Sequence, residues 1–240
     1  MATHPVRRGH MMRILSATGN MLGKQESIAM TLRYNFSAGP SPLPPSVIEQ
    51  VRADIPEWNG QGTSIMEISH RSPAFTEVVE RSEQDLRELL ALSDNYEILW
   101  LQGGASSQFS LVPMNLGGPS HTGGYLVTGS WSTKALAAAQ YHLNGHQVCS
   151  SGPEFIRLSS QRDWDLPEQL SYLHITSNET IHGVQYHRRF DIGDTPLVID
   201  ASSDFLSRPL VFKDFGLMYA GAQKNLGPAG ITIAIIRRDL

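Results

Sequence analysis

The sequence predicts an α/β fold with a mainly parallel, mixed sheet flanked by helices, and two observations carry that prediction. Short apolar runs bounded by turn residues recur along the chain, and their unbroken hydrophobicity is typical of strands covered on both faces. Segments with helical spacing of apolar residues alternate with these runs. The predicted strands are residues 98–101, 125–128, 172–176, 197–199, 217–220 and 231–236.

Three of the helical segments have recognisable boundaries. Apolar residues within 47–55 lie on one face of a short helix that Pro56 ends. Ser72-Pro73 predicts the start of a second helix, because a serine N-cap precedes a proline that needs no backbone donor. This helix is predicted to run to about Leu92 and to pack one apolar stripe against the sheet. Residues 134–143, rich in Ala and Leu, predict a crossover helix.

Composition limits the classes of function. With 240 residues, 40% of them hydrophobic, the chain can bury a sizeable core. The net charge of −4 gives no reason to expect a nucleic-acid partner, whose binders carry a basic face. Every apolar run is interrupted before the length of about 18 residues that predicts a membrane helix. The single cysteine, Cys149, excludes an internal disulfide framework and offers no metal cluster. We expect a cytoplasmic protein with small-molecule partners.

Residues 1–30 differ from the rest of the chain and are predicted to form an extension outside the fold. They include Arg7, Arg8 and Arg13 and show no sustained helical or strand period. A targeting signal is the alternative, although residues 11–17 supply no convincing apolar core for a signal peptide. Met30 directly precedes the first patterned segment, so a start at Met30 is a further hypothesis. Residues 31–240 are expected to form one domain.

Lys224 follows the predicted strand 217–220 within a loop of small residues. Lysine is a poor nucleophile when protonated, but a confined site beside another cation can free the amine to condense with an aldehyde. Glycine and alanine neighbours leave room for a flat ring against the backbone. The alternative is a solvated loop lysine, which is the common situation for this residue type.

Asp200 ends the apolar strand 197–199 and brings a carboxylate to the C-terminal edge of the sheet, where ligands bind in open α/β folds. An enzyme that uses pyridoxal phosphate (PLP) needs a carboxylate against the pyridine nitrogen, because the protonated ring draws electrons from the substrate. The alternative is that Asp200 caps the turn at residues 201–203. The two interpretations are equally supported by this segment alone.

The glycine-rich turn at residues 103–107 leads into another helix-like segment. Such a turn exposes backbone N–H groups at the positive end of a helix dipole, where a phosphate binds well. Most Gly-Gly bends bind nothing. Beside a lysine and a carboxylate at neighbouring strand ends, however, the turn indicates an anion site.

Five motifs occur in order along residues 35–240. They are Phe36-Ser37-Ala38-Gly39-Pro40, Ser69-His70-Arg71, Gly103-Gly104, Asn178-Glu179-Thr180 and Ala220-Gly221-Ala222-Gln223-Lys224-Asn225. Together they resemble the class V aminotransferases, and within that family the phosphoserine aminotransferases. The resemblance implies an aspartate-aminotransferase-like large domain that binds PLP. It also implies transamination of 3-phosphohydroxypyruvate with L-glutamate, for serine and pyridoxine biosynthesis, by a cytoplasmic homodimer.

The resemblance also implies a role for each matching cofactor residue. Lys224 forms the Schiff base with PLP and moves the proton between substrate and cofactor. Asp200 pairs with the pyridine nitrogen, Trp131 stacks on the ring, and Thr180 hydrogen-bonds the ring hydroxyl. The residues implied for the cofactor phosphate are Ala105, Ser106 and Gln223.

His70 and Arg71 are implied to contact the anionic groups of the substrate, a task that suits the planar fork of arginine. The alternative is a pair of residues that simply precedes a helix. Trp131 also has an alternative as a core residue, since interior aromatics are common. His174 and His182 are interpreted as structural, because Lys224 already supplies proton transfer.

The chain departs from the family pattern in two respects. It ends at Leu240, whereas the family continues well beyond, so the resemblance implies that the small C-terminal domain, with another substrate-binding arginine, is missing. Ser106 and Ser107 stand where some members have an arginine. An inactive remnant therefore stays open as an alternative. Another class V enzyme is less favoured, because Cys149 lacks the loop context of a desulfurase nucleophile.

Overall fold

The computed structural model describes residues 34–118, 120–209 and 214–240. Residues 35–240 form one compact unit. The predicted extension at residues 1–30 lies outside the described residues. Within the described ranges, no helix has the length and apolar character needed to cross a membrane.

A seven-stranded sheet forms the centre of this unit, in the spatial order β1-β9-β8-β7-β4-β2-β3. Strand β9 runs antiparallel to both of its neighbours, and the other six strands point the same way. Two short strands, β5 and β6, form a separate antiparallel hairpin. This arrangement confirms the predicted mixed, mainly parallel sheet. The strands are β1 (Tyr96–Gln102), β2 (Thr122–Val127), β3 (Asn144–Ser150), β4 (Tyr172–Thr176), β5 (Asn178–Glu179), β6 (Val184–Gln185), β7 (Leu197–Asp200), β8 (Leu217–Gly221) and β9 (Ile231–Arg237).

Four α-helices accompany the sheet: α1 (Pro45–Asp54), α2 (Pro73–Leu90), α3 (Gln108–Leu116) and α4 (Ser130–Ala139). Helix α2 begins as predicted, with the hydroxyl of Ser72 accepting a hydrogen bond of 3.2 Å from the backbone N–H of Phe75. It ends two residues earlier than predicted, at a left-handed Ala91. The prediction for α4 was wrong at both ends, since this helix begins four residues before Lys134 and stops at Ala139.

The core consists of two layers, one on each face of the sheet. Alternate residues of the central strands enter different layers, so Leu173 and Ile199 lie in one and Tyr172 and Val198 in the other. The first layer contacts α2 through Leu86, and the second lies against α3 and α4. The central strands are therefore covered on both faces, as their continuous hydrophobicity predicts.

The two edge strands differ from the sequence-based expectation. Strand β1 pairs only with β9 in the described sheet, and Leu99 is 44% exposed, so the prediction of two covered faces was wrong there. Strand β3 was not predicted, because its sequence, Asn-Gly-His-Gln-Val-Cys-Ser, is mostly polar. It lies at the other edge of the sheet, where one face can remain in water.

Candidate active site

The carboxyl ends of five parallel strands meet at one edge of the sheet, and a single pocket opens there. Segments that follow β1, β2, β4, β7 and β8 all contribute to it, as expected for a ligand site of an open α/β sheet. The lining residues are Gly104, Ala105, Ser106, Phe109, Trp131, Thr176, Asn178, Thr180, Asp200, Ser202, Ser203, Gln223 and Lys224. The structure therefore brings together all seven predicted cofactor-binding residues, which the sequence spreads over residues 105–224.

Lys224 lies in the turn that follows β8, and the start of the fold packs against this turn. The backbone N–H of Ser41 donates a hydrogen bond of 2.9 Å to the carbonyl oxygen of Gln223. The hydroxyl of Ser41 also donates to the carbonyl oxygens of Gln223 and Lys224. A β-carbon at Gly39 would lie 2.8 Å from Cδ of Lys224. Only a glycine at this position leaves room for the lysine side chain in its present conformation.

Asp200 is buried at the end of β7, in register with Thr176 of β4 and Tyr219 of β8. Burial raises the pKa of its carboxyl group to about 6, although hydrogen bonding by Ser202 opposes this shift. The backbone N–H of Ser202 donates to Oδ1 of Asp200 at 3.0 Å. Asp200 thus caps the turn and also lines the pocket, and its pairing with a ring nitrogen stays a prediction.

The glycine turn after β1 also lines the pocket, through Gly104, Ala105 and Ser106. Gly103 has a φ of 91°, which favours glycine, and its N–H donates a 2.8 Å hydrogen bond to the carbonyl oxygen of Gly230. A short 3₁₀ helix, Ala105–Ser107, then leads into α3. Helix entry of this kind provides N–H groups and a positive dipole end for an anion. Gln223 lines the same pocket.

Trp131 and Thr180 add a flat surface and a hydroxyl. Trp131 is half-buried and packs against the second core layer, while its ring also lines the pocket. The ammonium of Lys134 lies 4.6 Å from the centre of the indole, a cation–π contact. Thr180 is exposed and directly follows strand β5. Trp131 therefore contacts both the core and the pocket, and its stacking on a cofactor ring stays a prediction.

The predicted substrate residues do not join this pocket. His70 and Arg71 are exposed on a turn immediately before α2 and are absent from the pocket lining. His174 is fully buried on β4, and its Nε2 lies 2.9 Å from the hydroxyl of Tyr219. Burial lowers the pKa of His174 to about 3. His182 is half-buried and packs edge-on against Phe155, with ring centres 4.9 Å apart.

No site role was assigned from the sequence to several residues that the structure places at the pocket: Phe109, Thr176, Asn178, Ser202 and Ser203. Thr176 ends β4 as Asp200 ends β7, so its position at a strand end was a usable signal. The sequence around the other four residues gives no such signal, because their place in the pocket depends on how separate segments pack together.

The donor set suits a planar, phosphorylated pyridine aldehyde. A buried carboxylate, an indole face, an amine and a helix-entry turn surround one cavity, which matches a ring nitrogen, a ring face, an aldehyde and a phosphate. Within the described part of the chain, Oγ1 of Thr176 and Oε1 of Gln223 are buried side-chain atoms without a hydrogen-bond partner. Buried polar atoms without partners are uncommon, so these two favour a polar ligand in the pocket. No cluster of three or more metal-ligating side chains occurs in the ranges that the structure describes.

The sheet topology, with a lysine and a buried carboxylate that line one pocket at the strand ends, defines a class of protein, the aminotransferases of the aspartate-aminotransferase-like fold. The family model "Aminotransferase class-V" matches residues 33–240, and the chain belongs to that family.

One curated relative and two solved structures to which the chain is similar are named phosphoserine aminotransferase. The phosphoserine aminotransferase of Stutzerimonas stutzeri is 46% identical over 208 residues, which are 86% of this chain and 58% of that protein. The phosphoserine aminotransferase structure from Bacillus circulans subsp. alkalophilus is 44% identical with a TM-score of 0.82, covering 85% of this chain and 57% of its own. The PLP-bound phosphoserine aminotransferase structure from Trichomonas vaginalis is 37% identical with a TM-score of 0.81, covering 86% and 58%. The chain thus spans a little under three fifths of the length of these relatives.

Proposed function

We propose that residues 31–240 form the PLP-binding domain of a phosphoserine aminotransferase, which exchanges an amino group between L-glutamate and 3-phosphohydroxypyruvate. One observation supports this proposal: the seven proposed cofactor residues, which come from five separate segments of the chain, line one pocket. The names of the relatives support the choice of substrates. When bound, PLP supplies an aldehyde that accepts the amino group and a ring that withdraws electrons.

In this proposal Lys224 and Asp200 perform the proton chemistry. The amine of Lys224 would hold the cofactor covalently and, when free, would serve as the general base and acid that moves the proton. The carboxylate of Asp200 holds the proton on the ring nitrogen. A positive ring beside Asp200 favours the ionised carboxylate and offsets the burial that raises its pKa.

The other pocket residues bind and orient. Backbone N–H groups at Ala105 and Ser106, with the amide of Gln223, hold the phosphate. Trp131 covers one ring face and keeps water from it, while the hydroxyl of Thr180 donates to the ring oxygen. These residues would hold the cofactor in one orientation beside Lys224.

His70 and Arg71 are proposed substrate contacts, and their position constrains the proposal. They lie on an exposed turn outside the pocket of this chain. We therefore propose that substrate binding by His70 and Arg71 depends on a homodimer. In it, another segment or a second copy of the chain would bring anion-binding groups to the pocket. We also propose a cytoplasmic location, on the basis of the family resemblance and the small-molecule substrates.

A coupled assay tests the proposed function. The PLP-loaded chain is supplied with L-glutamate and 3-phosphohydroxypyruvate, and formation of 2-oxoglutarate is followed over time. We expect turnover that is lost in Lys224→Ala. A chain that binds PLP but shows no turnover would reject catalysis by these residues alone and favour a cofactor-binding remnant. A folded chain that does not bind PLP would reject the cofactor site itself.

A further inference from the structure

Glu179 is a buried carboxylate beside the site, between two pocket-lining residues, and no step described above uses it. It ends the short strand β5 and has 0% exposure. Its neighbours in sequence, Asn178 and Thr180, both line the pocket. A buried carboxylate requires several hydrogen bonds to compensate for the loss of water, and those of Glu179 show what it holds in place.

The carboxylate of Glu179 binds the first turn of α4, which is distant in sequence. Oε2 accepts a hydrogen bond of 3.0 Å from the backbone N–H of Trp131. Oε1 accepts from the backbone N–H of Ser132 at 2.8 Å and from its hydroxyl at 2.6 Å. The negative charge also lies at the positive end of the helix dipole. One side chain thus fixes the backbone of the residue whose ring lines the cofactor pocket.

The surrounding backbone leaves space for this carboxylate. A β-carbon at Gly129 would lie 2.4 Å from Cδ of Glu179, so any larger residue would displace the side chain. Strand β5 itself begins two residues after Thr176, which also lines the pocket. Glu179 therefore connects the segment that carries Thr180 to the helix that carries Trp131.

We propose that Glu179 is a positioning residue that holds Trp131 against the ring face of the cofactor in register with Thr180. This inference rests on the proposed PLP site. It goes beyond helix capping, because one of the two capped N–H groups belongs to Trp131, which lines the pocket. Oε1 serves Ser132, whereas Oε2 serves only Trp131 among the described residues.

Glu179→Gln separates the hydrogen bonds to Ser132 from the hydrogen bond to Trp131, because glutamine has almost the same shape but only one acceptor oxygen. The single amide oxygen can keep both hydrogen bonds at Ser132, which places the NH₂ group against the N–H of Trp131. Two donors then face each other, and Trp131 loses its anchor. We expect PLP binding about tenfold weaker, the effect of losing one charge-assisted hydrogen bond. We also expect a changed visible circular dichroism spectrum of the bound cofactor.

A double-mutant cycle with Trp131→Ala shows whether Glu179 acts through the indole. The alanine variant keeps the backbone N–H but removes the ring. We expect Glu179→Gln to have no further effect on PLP affinity in the Trp131→Ala background. Equal, additive losses in the two backgrounds would overturn the proposal, because Glu179 would then act independently of Trp131.

Leu86→Ala is the matched control for general destabilisation. Leu86 is 3% exposed, lies in the other core layer and is not part of the pocket lining. We expect this variant to lower the melting temperature while leaving the circular dichroism spectrum of bound PLP unchanged. An unchanged spectrum and affinity in Glu179→Gln would contradict the positioning role. Failure of the unmodified chain to bind PLP would instead reject the proposed function, so the two failures are distinguishable.

Discussion

Ser41 and Gln223 are joined by a backbone hydrogen bond of 2.9 Å between two segments separated by 182 residues. This bond places the Phe36–Pro40 motif directly against the turn that carries Lys224. The contact is tight, because a β-carbon at Gly39 would lie 2.8, 3.1 and 3.3 Å from Cδ, Cε and Nζ of Lys224. The start of the fold therefore packs directly against the lysine of the candidate active site.

We expect Gly39→Ala to weaken covalent capture of PLP by Lys224. The added methyl group occupies the space of the lysine side chain, so the amine must leave its present position. Loss of alignment by about an ångström can reduce a rate on the order of a hundredfold. The measurement is the rate at which the visible absorbance band of bound PLP appears after mixing.

Gly227→Ala provides the control for this prediction. Gly227 lies in the same loop as Lys224, and no neighbouring atom lies within 4 Å of the position of its added β-carbon. We expect capture of PLP at the rate of the unmodified chain. If both alanine variants behave alike, the contact between Gly39 and Lys224 has no part in positioning the amine.

Asp200→Asn is expected to stabilise the cofactor-free protein at neutral and alkaline pH. The folded pKa of about 6 exceeds the ordinary value of 3.8, so the folded state holds a proton that the unfolded state has lost. Stability therefore falls as the pH rises from about 4 to 6, and above that range the buried charge costs about 3 kcal/mol at 1.36 kcal/mol per pKa unit. The amide carries no such charge and can still accept the N–H of Ser202.

The free energy of unfolding of both proteins, measured by denaturant titration at pH 4 and pH 8, tests this prediction. We expect near equality at pH 4 and an advantage for Asp200→Asn at pH 8. The same variant should lose affinity for PLP, because the ring nitrogen loses its partner. A pH-independent difference in stability would show that burial does not perturb the Asp200 carboxyl.

His174→Gln is expected to reduce the loss of stability in mild acid. The folded pKa of about 3 lies below the ordinary value of 6.5, so between these values only the unfolded chain takes up the proton. The histidine thus removes stability as the pH falls from 6.5, amounting to about 2 kcal/mol by pH 5. A glutamine amide can keep a hydrogen bond to the hydroxyl of Tyr219 without titrating.

The comparison of unfolding free energies at pH 7 and pH 5 checks this outcome. The unmodified chain should lose about 2 kcal/mol more than His174→Gln over that interval. Asp200 has the opposite pH dependence, but it is present in both proteins and cancels in the difference. Equal losses in the two proteins would mean that His174 takes up a proton in the folded state.

The buried strands were predictable from sequence, because continuous apolar runs have few alternatives in an α/β protein. Strands β4, β7, β8 and β9 agree with the predicted segments to within one residue at each end. The antiparallel direction of β9 could not be predicted, because a continuous apolar run looks the same in parallel and antiparallel strands. Strand β3 was missed because a polar edge strand lacks the hydrophobic signal.

The candidate site shows the same division between local and long-range information. Lys224 and Asp200 were identified because each follows an apolar strand, which is a local pattern. The start of α4 was missed because its N-terminal N–H groups are satisfied by Glu179, 47 to 48 residues away. A cap from so distant a residue cannot be recognised in the sequence next to Ser130. His70 and Arg71, predicted by resemblance alone, lie outside the pocket, and their role stays a prediction.

The most direct measurement for the account as a whole is chemical trapping of the cofactor on the folded chain. The protein is incubated with PLP and reduced with borohydride, and its peptides are mapped by mass spectrometry. We predict that the reduced adduct is found on Lys224, and that Lys134, which contacts Trp131 from within α4, stays unmodified. An adduct on Lys134, or on several lysines without preference for Lys224, would contradict the account.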